Sequence, residues 1–320
     1  MTGLVGHEQP WSEWRAALQG SRLHHGWILA GKRGIGKASF AMQAARELVA
    51  EDGVPQPAGD HPDIMVLTHL PVKGDEKKKE EGKPYQLRRN ITIEQVREMQ
   101  QRITKRPTLG SRRVIIIDPA DDLEKGASNA LLKSLEEPPV GTFFLLVTHR
   151  PGRLLPTIRS RCRVLRFPEL SDAQIDAVLA SEAPEADAAT RAAAIAGAGG
   201  SPGVALEFVE LELGKLHKLM VEIVRNGDAG FKLRGMLADA MGTRPDRQRQ
   251  MAAIELARSV VTREMDEVDT AGIPGLVEAH AVLVRLAAQF PTYNFDPGLL
   301  VMEIGTLLTN LAASRETANG

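Results

Sequence analysis

Residues 31 to 39 read Gly-Lys-Arg-Gly-Ile-Gly-Lys-Ala-Ser, and the spacing of Gly31, four residues, then Gly36-Lys37 constrains this chain more than any other stretch. It matches the start of the phosphate-loop signature G-x-x-x-x-G-K-[ST]. In that signature backbone N–H groups close around phosphate oxygens and the lysine supplies a point charge. The flanks agree. Trp27 to Ala30 is a short apolar run that reads as a buried strand, and after Lys37 both Phe40/Ala44/Leu48 and Ala41/Ala45/Val49 recur every four residues on one helix face. Strand, glycine loop and helix together aim a helix N-terminus at phosphate. The signature ends in a hydroxyl that ligates Mg²⁺, and here that place is Ala38; Ser39 comes one position late on a different helical face and is a poor substitute. The plain alternative is a glycine turn that binds nothing. Gly31, Gly34, Gly36 and Lys37 at the right offsets mark phosphate-binding ancestry more firmly than present nucleotide binding.

At 320 residues the chain has room for two or three domains. Its net charge of −1 makes the whole chain no electrostatic magnet for DNA, so any nucleic-acid contact must come from a local patch or from partner subunits. Cys162 is the only cysteine, which excludes a disulfide and a cysteine zinc cluster. Met1 to Trp14 shows no basic-then-apolar signal pattern and no apolar run reaches membrane-spanning length, so a cytoplasmic protein without a membrane partner is expected.

Strand-like and helix-like segments alternate through the first half. Strands are expected at Ile64 to Thr68, Val114 to Ile117, Phe143 to Val147 and Val164 to Phe167. A helix is expected from Thr92 to Thr104, with Thr92 and Gln95 as a capping box and Val96, Met99 and Ile103 as its apolar stripe. Another runs from Ser128 to Glu137, stopped by Pro138-Pro139. Asp75 to Glu81 is a mixed-charge run expected to be a solvated loop or hairpin tip. This alternation implies a parallel sheet flanked by helices.

From Pro168 onward strand signals vanish. Ser171 to Gln174 is a capping box opening a helix, Arg191 to Ala196 is a second helix ended by Gly197, Gly199 and Gly200, and Pro202 opens a third. Helices are then expected at Lys215 to Arg225, Phe231 to Met241, Arg247 to Met265, Leu276 to Phe290 and Leu299 to Ser314. The expected organisation is an α/β domain over 1–167, a small helical domain over 168–212 and an all-α bundle over 213–320.

Asp118 closes an apolar strand, where phosphate-loop ATPases keep the acid that holds Mg²⁺, often followed by a glutamate that activates water. The next residue here is Pro119, which cannot act as a base. A capping role for Asp118 stands equally open.

Asn129 to Pro139 (Asn-Ala-Leu-Leu-Lys-Ser-Leu-Glu-Glu-Pro-Pro), Ile158-Arg159-Ser160-Arg161-Cys162, Arg22-Leu23-His24-His25 and His61-Pro62-Asp63 are distinctive strings. With them the chain resembles the bacterial clamp-loader family within the AAA+ ATPases, over about residues 4 to 210. The resemblance implies an AAA+ α/β domain, a helical lid, and a helical collar by which subunits assemble. It implies that Arg161, in Ser160-Arg161-Cys162, is an arginine finger acting in trans on ATP bound to a neighbouring subunit; guanidinium suits the task, being always charged and forked. Taken without the resemblance, a surface salt bridge is the better reading of any one of the arginines crowded here. Cys162 reads as a small packed residue. Thr148 stands where the family carries its sensor 1 residue, the alternative being a satisfied strand-end hydroxyl. Gly203, in Gly200 to Leu206, stands where hydrolysing members carry the sensor 2 arginine. Ala38, Pro119 and Gly203 together argue against hydrolysis. Gly31, Gly34, Gly36, Lys37, Asp118 and Thr148 would make a degenerate nucleotide site, with no cofactor required and vestigial ATP or ADP binding open. Glu51 to Asp60 lacks the four zinc cysteines of many members, so no zinc is expected. Implied partners are ATPase subunits and a delta subunit in a hetero-pentameric ring, with the sliding clamp and primer–template DNA reached through the complex.

Overall fold

The computed structural model describes residues 4–20, 23–83, 85–268, 272–290 and 295–318. The chain divides into two compact units, 1–169 and 170–320.

The first unit is built on five parallel strands: β1 (Gly26–Ala30), β2 (Ile64–Leu67), β3 (Arg113–Ile117), β4 (Thr142–Thr148) and β5 (Arg163–Arg166), in the order β2-β3-β4-β1-β5. Its helices are α1 (Glu8–Gln19), α2 (Lys37–Val49), α3 (Glu76–Glu80), α4 (Ile93–Ile103), α5 (Lys125–Glu136) and α6 (Pro156–Arg159). Strand periodicity splits the core into two layers. Ile115 and Ile117 of β3, with Phe144 and Leu146 of β4, meet Val96 and Met99 of α4 and Leu131 and Leu135 of α5. Val114, Ile116, Leu145 and Val147, the alternate residues, meet Phe40, Ala44 and Leu48 of α2 and Trp14 of α1. Burial of both faces explains why these strands read as continuous apolar runs. The parallel sheet flanked by helices, with a phosphate loop after β1, is the α/β arrangement expected of an AAA+ domain.

The second unit is helical among the described residues: α7 (Asp172–Glu182), α8 (Ala188–Ala198), α9 (Pro202–Glu210), α10 (Gly214–Asn226), α11 (Lys232–Met241), α12 (Arg247–Glu267), α13 (Ile273–Gln289) and α14 (Pro297–Ala318). The Ser171 capping box is formed in both directions, Gln174 N–H to Ser171 Oγ at 3.3 Å and Ser171 N–H to Gln174 Oε1 at 2.9 Å. α8 packs on α9, and also on α10 and α12.

Several boundaries moved, each for a local reason. α8 starts at Ala188 because Asp187 caps it, accepting Thr190 N–H at 2.7 Å. It runs through Gly197, which packs beside Leu256 and Phe208, and stops only at Gly199, the residue that turns left-handed. α1 was not expected, since His7 precedes it in left-handed conformation with no side-chain cap. The Asp75–Glu81 run, expected as a loop or hairpin tip, is the tip of a two-legged antiparallel arm and carries one short helix, α3.

Candidate functional site

β1 delivers the chain into the phosphate loop, and α2 begins at Lys37. Gly36 caps α2 with φ +93, a left-handed conformation that disfavours a side chain. At Gly31 a Cβ would come within 2.7 Å of the Phe167 carbonyl oxygen. The glycines thus hold a tight loop against β5's exit. Lys37 is only 2% exposed, and its ammonium donates to the loop's own Gly31 carbonyl at 2.8 Å and to that of Lys32. Burial pushes its pKa down from 10.5 to about 8, opposed by Asp118 and Asp121. Asp118, past the end of β3, is half-buried; burial raises its carboxyl and Lys37 partly offsets this. Lys37 and Asp118 thus influence each other electrostatically, while the ammonium's hydrogen bonds go to the loop carbonyls. Ala38 is exposed in the first turn of α2 and offers no oxygen, and Pro119 follows Asp118 directly.

A desolvated ammonium is a stability cost. The folded chain releases the Lys37 proton more readily than the unfolded chain does. The cost that Lys37 imposes on stability is therefore fully present below about pH 8 and is relieved as the pH climbs from there towards 10.5. Lys37→Met is expected to stabilise the isolated chain near neutral pH, by up to about 3 kcal/mol, and to flatten that alkaline rise. Urea titrations across the window measure both, and a variant no more stable than wild type at neutral pH would contradict it.

Thr148, the sensor 1 candidate, is fully buried at the end of β4, and its hydroxyl donates to the Asp121 carboxylate. Asp121 also accepts the N–H groups of His149 at 2.7 Å and Arg150 at 3.0 Å. The Thr148 hydroxyl thus has its partner within the chain. Asp121 and His149 were not anticipated. Asp121 sits in a 3-10 turn, Ala120–Asp122, three residues past Asp118, a local fold that strand and helix periodicity cannot signal. Burial, with Lys37 as the next cause, pushes the His149 ring down to about 4, so it is neutral at physiological pH.

Arg161 follows α6. Its guanidinium meets Glu136 Oε1, at the end of α5, at 2.6 Å, and donates to the Thr157 carbonyl at 3.0 Å and to Ser160 Oγ at 3.3 Å. The pair is exposed, 35% for the arginine side chain and 48% for the glutamate. Cys162 Sγ would lie 2.9 Å from a Cβ at Gly26, so it fills the space that glycine leaves; burial pushes the thiol up to about 12, which makes it inert as a nucleophile.

The other distinctive strings are structural ties. His25 Nε2 donates to the Leu135 carbonyl at 2.8 Å, joining the start of β1 to the end of α5. Asp63 accepts the N–H groups of Thr108 and Leu109. Glu51 accepts Ser111 N–H at 2.7 Å. Arg22 lies outside the described residues. Gly203 is in the first turn of α9, in the second unit.

The fold and this loop define a parallel α/β protein with a glycine loop of phosphate-loop spacing after its first strand. The family described as "DNA polymerase III, delta subunit" matches residues 6–171, and the chain belongs to it. It is 33% identical over 207 residues to DNA polymerase III subunit delta' of Pseudomonas aeruginosa, covering 60% of this chain and 58% of that protein. It is 32% identical over 209 residues to subunit delta' of Escherichia coli, covering 61% and 57%. It is also 32% identical over 183 residues to subunit tau/gamma of Haemophilus influenzae, covering 55% and 25%. The matched region thus spans less than three fifths of the length of these delta' relatives.

Proposed function

We propose that this chain is a non-hydrolysing, delta'-type subunit of the replicative clamp loader. It acts as a stator in a hetero-pentameric ring with ATPase subunits and a delta subunit, and helps load the sliding clamp on primed DNA in the cytoplasm. It supplies Arg161 to ATP held by the neighbour. The observation that carries this reading is the pairing of a degraded site of its own with an available guanidinium. Ala38 and Pro119 remove the magnesium hydroxyl and the catalytic base, while Arg161 sits at the surface in a pair loose enough to exchange. The likeness to tau/gamma supports a second reading, an ATP-hydrolysing motor, which the same losses and Gly203 disfavour.

The two readings separate in one comparison. The isolated chain is expected to turn over no ATP. Lys37→Ala, assembled with its partners, is expected to leave clamp- and DNA-stimulated ATPase within about twofold of wild type, since this loop hydrolyses nothing. ATP turnover by the isolated chain that Lys37→Ala abolishes would make it a motor. Equilibrium dialysis with and without Mg²⁺ establishes whether the loop retains ATP or ADP.

A further inference from the structure

The arm of residues 68–90 has no role in the loader reading given above. Its legs pair antiparallel: Pro71 bridges Leu87, Val72 N–H donates to Gln86 O at 2.8 Å and Arg88 N–H to Leu70 O at 2.7 Å, with α3 beyond them. The arm is anchored, since Ile91 N–H donates to Asp122 O at 2.9 Å just past its second leg. Leu70, Val72, Tyr85 and Leu87 are each 39–49% exposed on it, which a merely solvated charge run has no use for. The arm carries seven lysines and arginines against four acids, in a chain whose net charge is −1. Lys78 pairs with Asp75 at 2.6 Å and Lys83 with Glu81 at 2.7 Å, whereas Lys73, Lys77 and Lys79 make no ion pair among the described residues. Val72, Asp75, Lys78, Tyr85 and Gln86 border one shallow concavity, in which Lys78 neutralises Asp75.

We propose that this arm is a contact for single-stranded nucleic acid, with backbone phosphates on Lys73, Lys77 and Lys79 and a base stacked on Tyr85. Ammonium groups without an ion pair and an exposed aromatic side chain on the same arm are the two components of sequence-tolerant single-strand binding. An acidic protein surface would use the lysines alone and leave the ring and its apolar neighbours unexplained. The arm carries a local cationic excess, seven basic residues against four acids, which is how a chain of nearly zero net charge can still meet a polyanion. The inference extends the loader reading by naming a nucleic-acid contact, and it does not depend on Arg161.

The test is fluorescence anisotropy of a labelled oligothymidylate of about 20 nucleotides with the full chain at about 50 mM salt. Binding is expected to weaken with salt, with a log–log slope of about −2 for three phosphates. The triple variant Lys73→Glu/Lys77→Glu/Lys79→Glu should bind at least about tenfold more weakly, and Tyr85→Ala about five- to a hundredfold more weakly. All four positions are exposed, so melting temperatures should match wild type. Absence of binding, or wild-type affinity in the triple variant, overturns the proposal. So does labelled polyglutamate bound as tightly as the oligonucleotide and indifferent to Tyr85→Ala, which would assign the arm to acidic polypeptides. An Arg161→Ala chain should bind the oligonucleotide normally, so failure here leaves the arginine-finger reading to its own assay.

Discussion

In an assembled loader, Arg161→Ala is expected to slow hydrolysis at the neighbouring site by ~10³ to 10⁵, roughly 4 to 7 kcal/mol of transition-state stabilisation. The pair with Glu136 does not argue against this. Both side chains are partly exposed, and an exposed pair is worth about 0 to 1 kcal/mol, even with a short contact of 2.6 Å. Moving the guanidinium from Glu136 to a neighbour's γ-phosphate therefore costs little beside what it supplies. The two roles predict opposite signatures. As a finger, Arg161→Ala leaves the isolated chain within about 1 kcal/mol of wild-type stability while single-turnover hydrolysis in the clamp- and DNA-stimulated complex collapses. Arg161→Lys should recover little, because an ammonium cannot span two phosphate oxygens. Unchanged stimulated ATPase in an Arg161→Ala complex of wild-type composition would end the finger role.

How far the site was legible in the sequence depended on how local each residue's partners are. Lys37 and Asp118 could be read because a glycine loop and a buried strand each leave a one-dimensional pattern, and in the structure each shifts the other's pKa. Thr148 could be placed at a strand end, but its partner could not. Asp121 lies 27 residues earlier, in a turn three residues long that no periodicity reports, and it takes up the hydroxyl. His149 was hidden because a histidine after a strand is unremarkable until burial and Lys37 suppress its charge. Cys162 went the other way. Its packing role followed from residue chemistry, and the space beside Gly26 supplied the reason.

The fold shows the same division. The sheet and its flanking helices follow from apolar runs and four-residue spacings, and the layers then follow from alternation along β3 and β4. The first helix escaped because it lacks a Ser, Thr, Asp or Asn cap, and its docking depends on Trp14 meeting Trp27 and Phe40 in space. The arm's tip was legible as a loop or hairpin tip, but its legs escaped because the pairing of Pro71 with Leu87 carries no alternating signature.

Asp63→Ala is expected to destabilise the isolated chain by about 3 to 5 kcal/mol, through the loss of a buried carboxylate that three groups depend on. Asp63 is 1% exposed, and it accepts Thr108 N–H at 2.6 Å and Leu109 N–H at 2.8 Å. The Arg113 guanidinium lies 3.9 Å away and donates to the carbonyls of Arg102, Lys105 and Arg106 at 2.9–3.1 Å, tying off the end of α4. Removing the carboxylate strands two N–H donors and leaves the buried guanidinium without its counter-charge. Asp63→Asn keeps one acceptor oxygen and removes the charge, so it should cost less, about 1.5 to 3 kcal/mol. The order Ala worse than Asn separates loss of hydrogen bonds from loss of charge alone. Denaturant midpoints at constant m-value measure it, and a loss under about 1 kcal/mol for Asp63→Ala would show that water replaces the carboxylate. Because the damage is to a loop anchor, Asp63→Asn folded into the loader should keep wild-type stimulated ATPase. Arg161→Ala should do the reverse, sparing stability and losing rate. A chain whose Asp63 holds the fold and whose Arg161 serves another subunit's chemistry should show these two losses independently of each other.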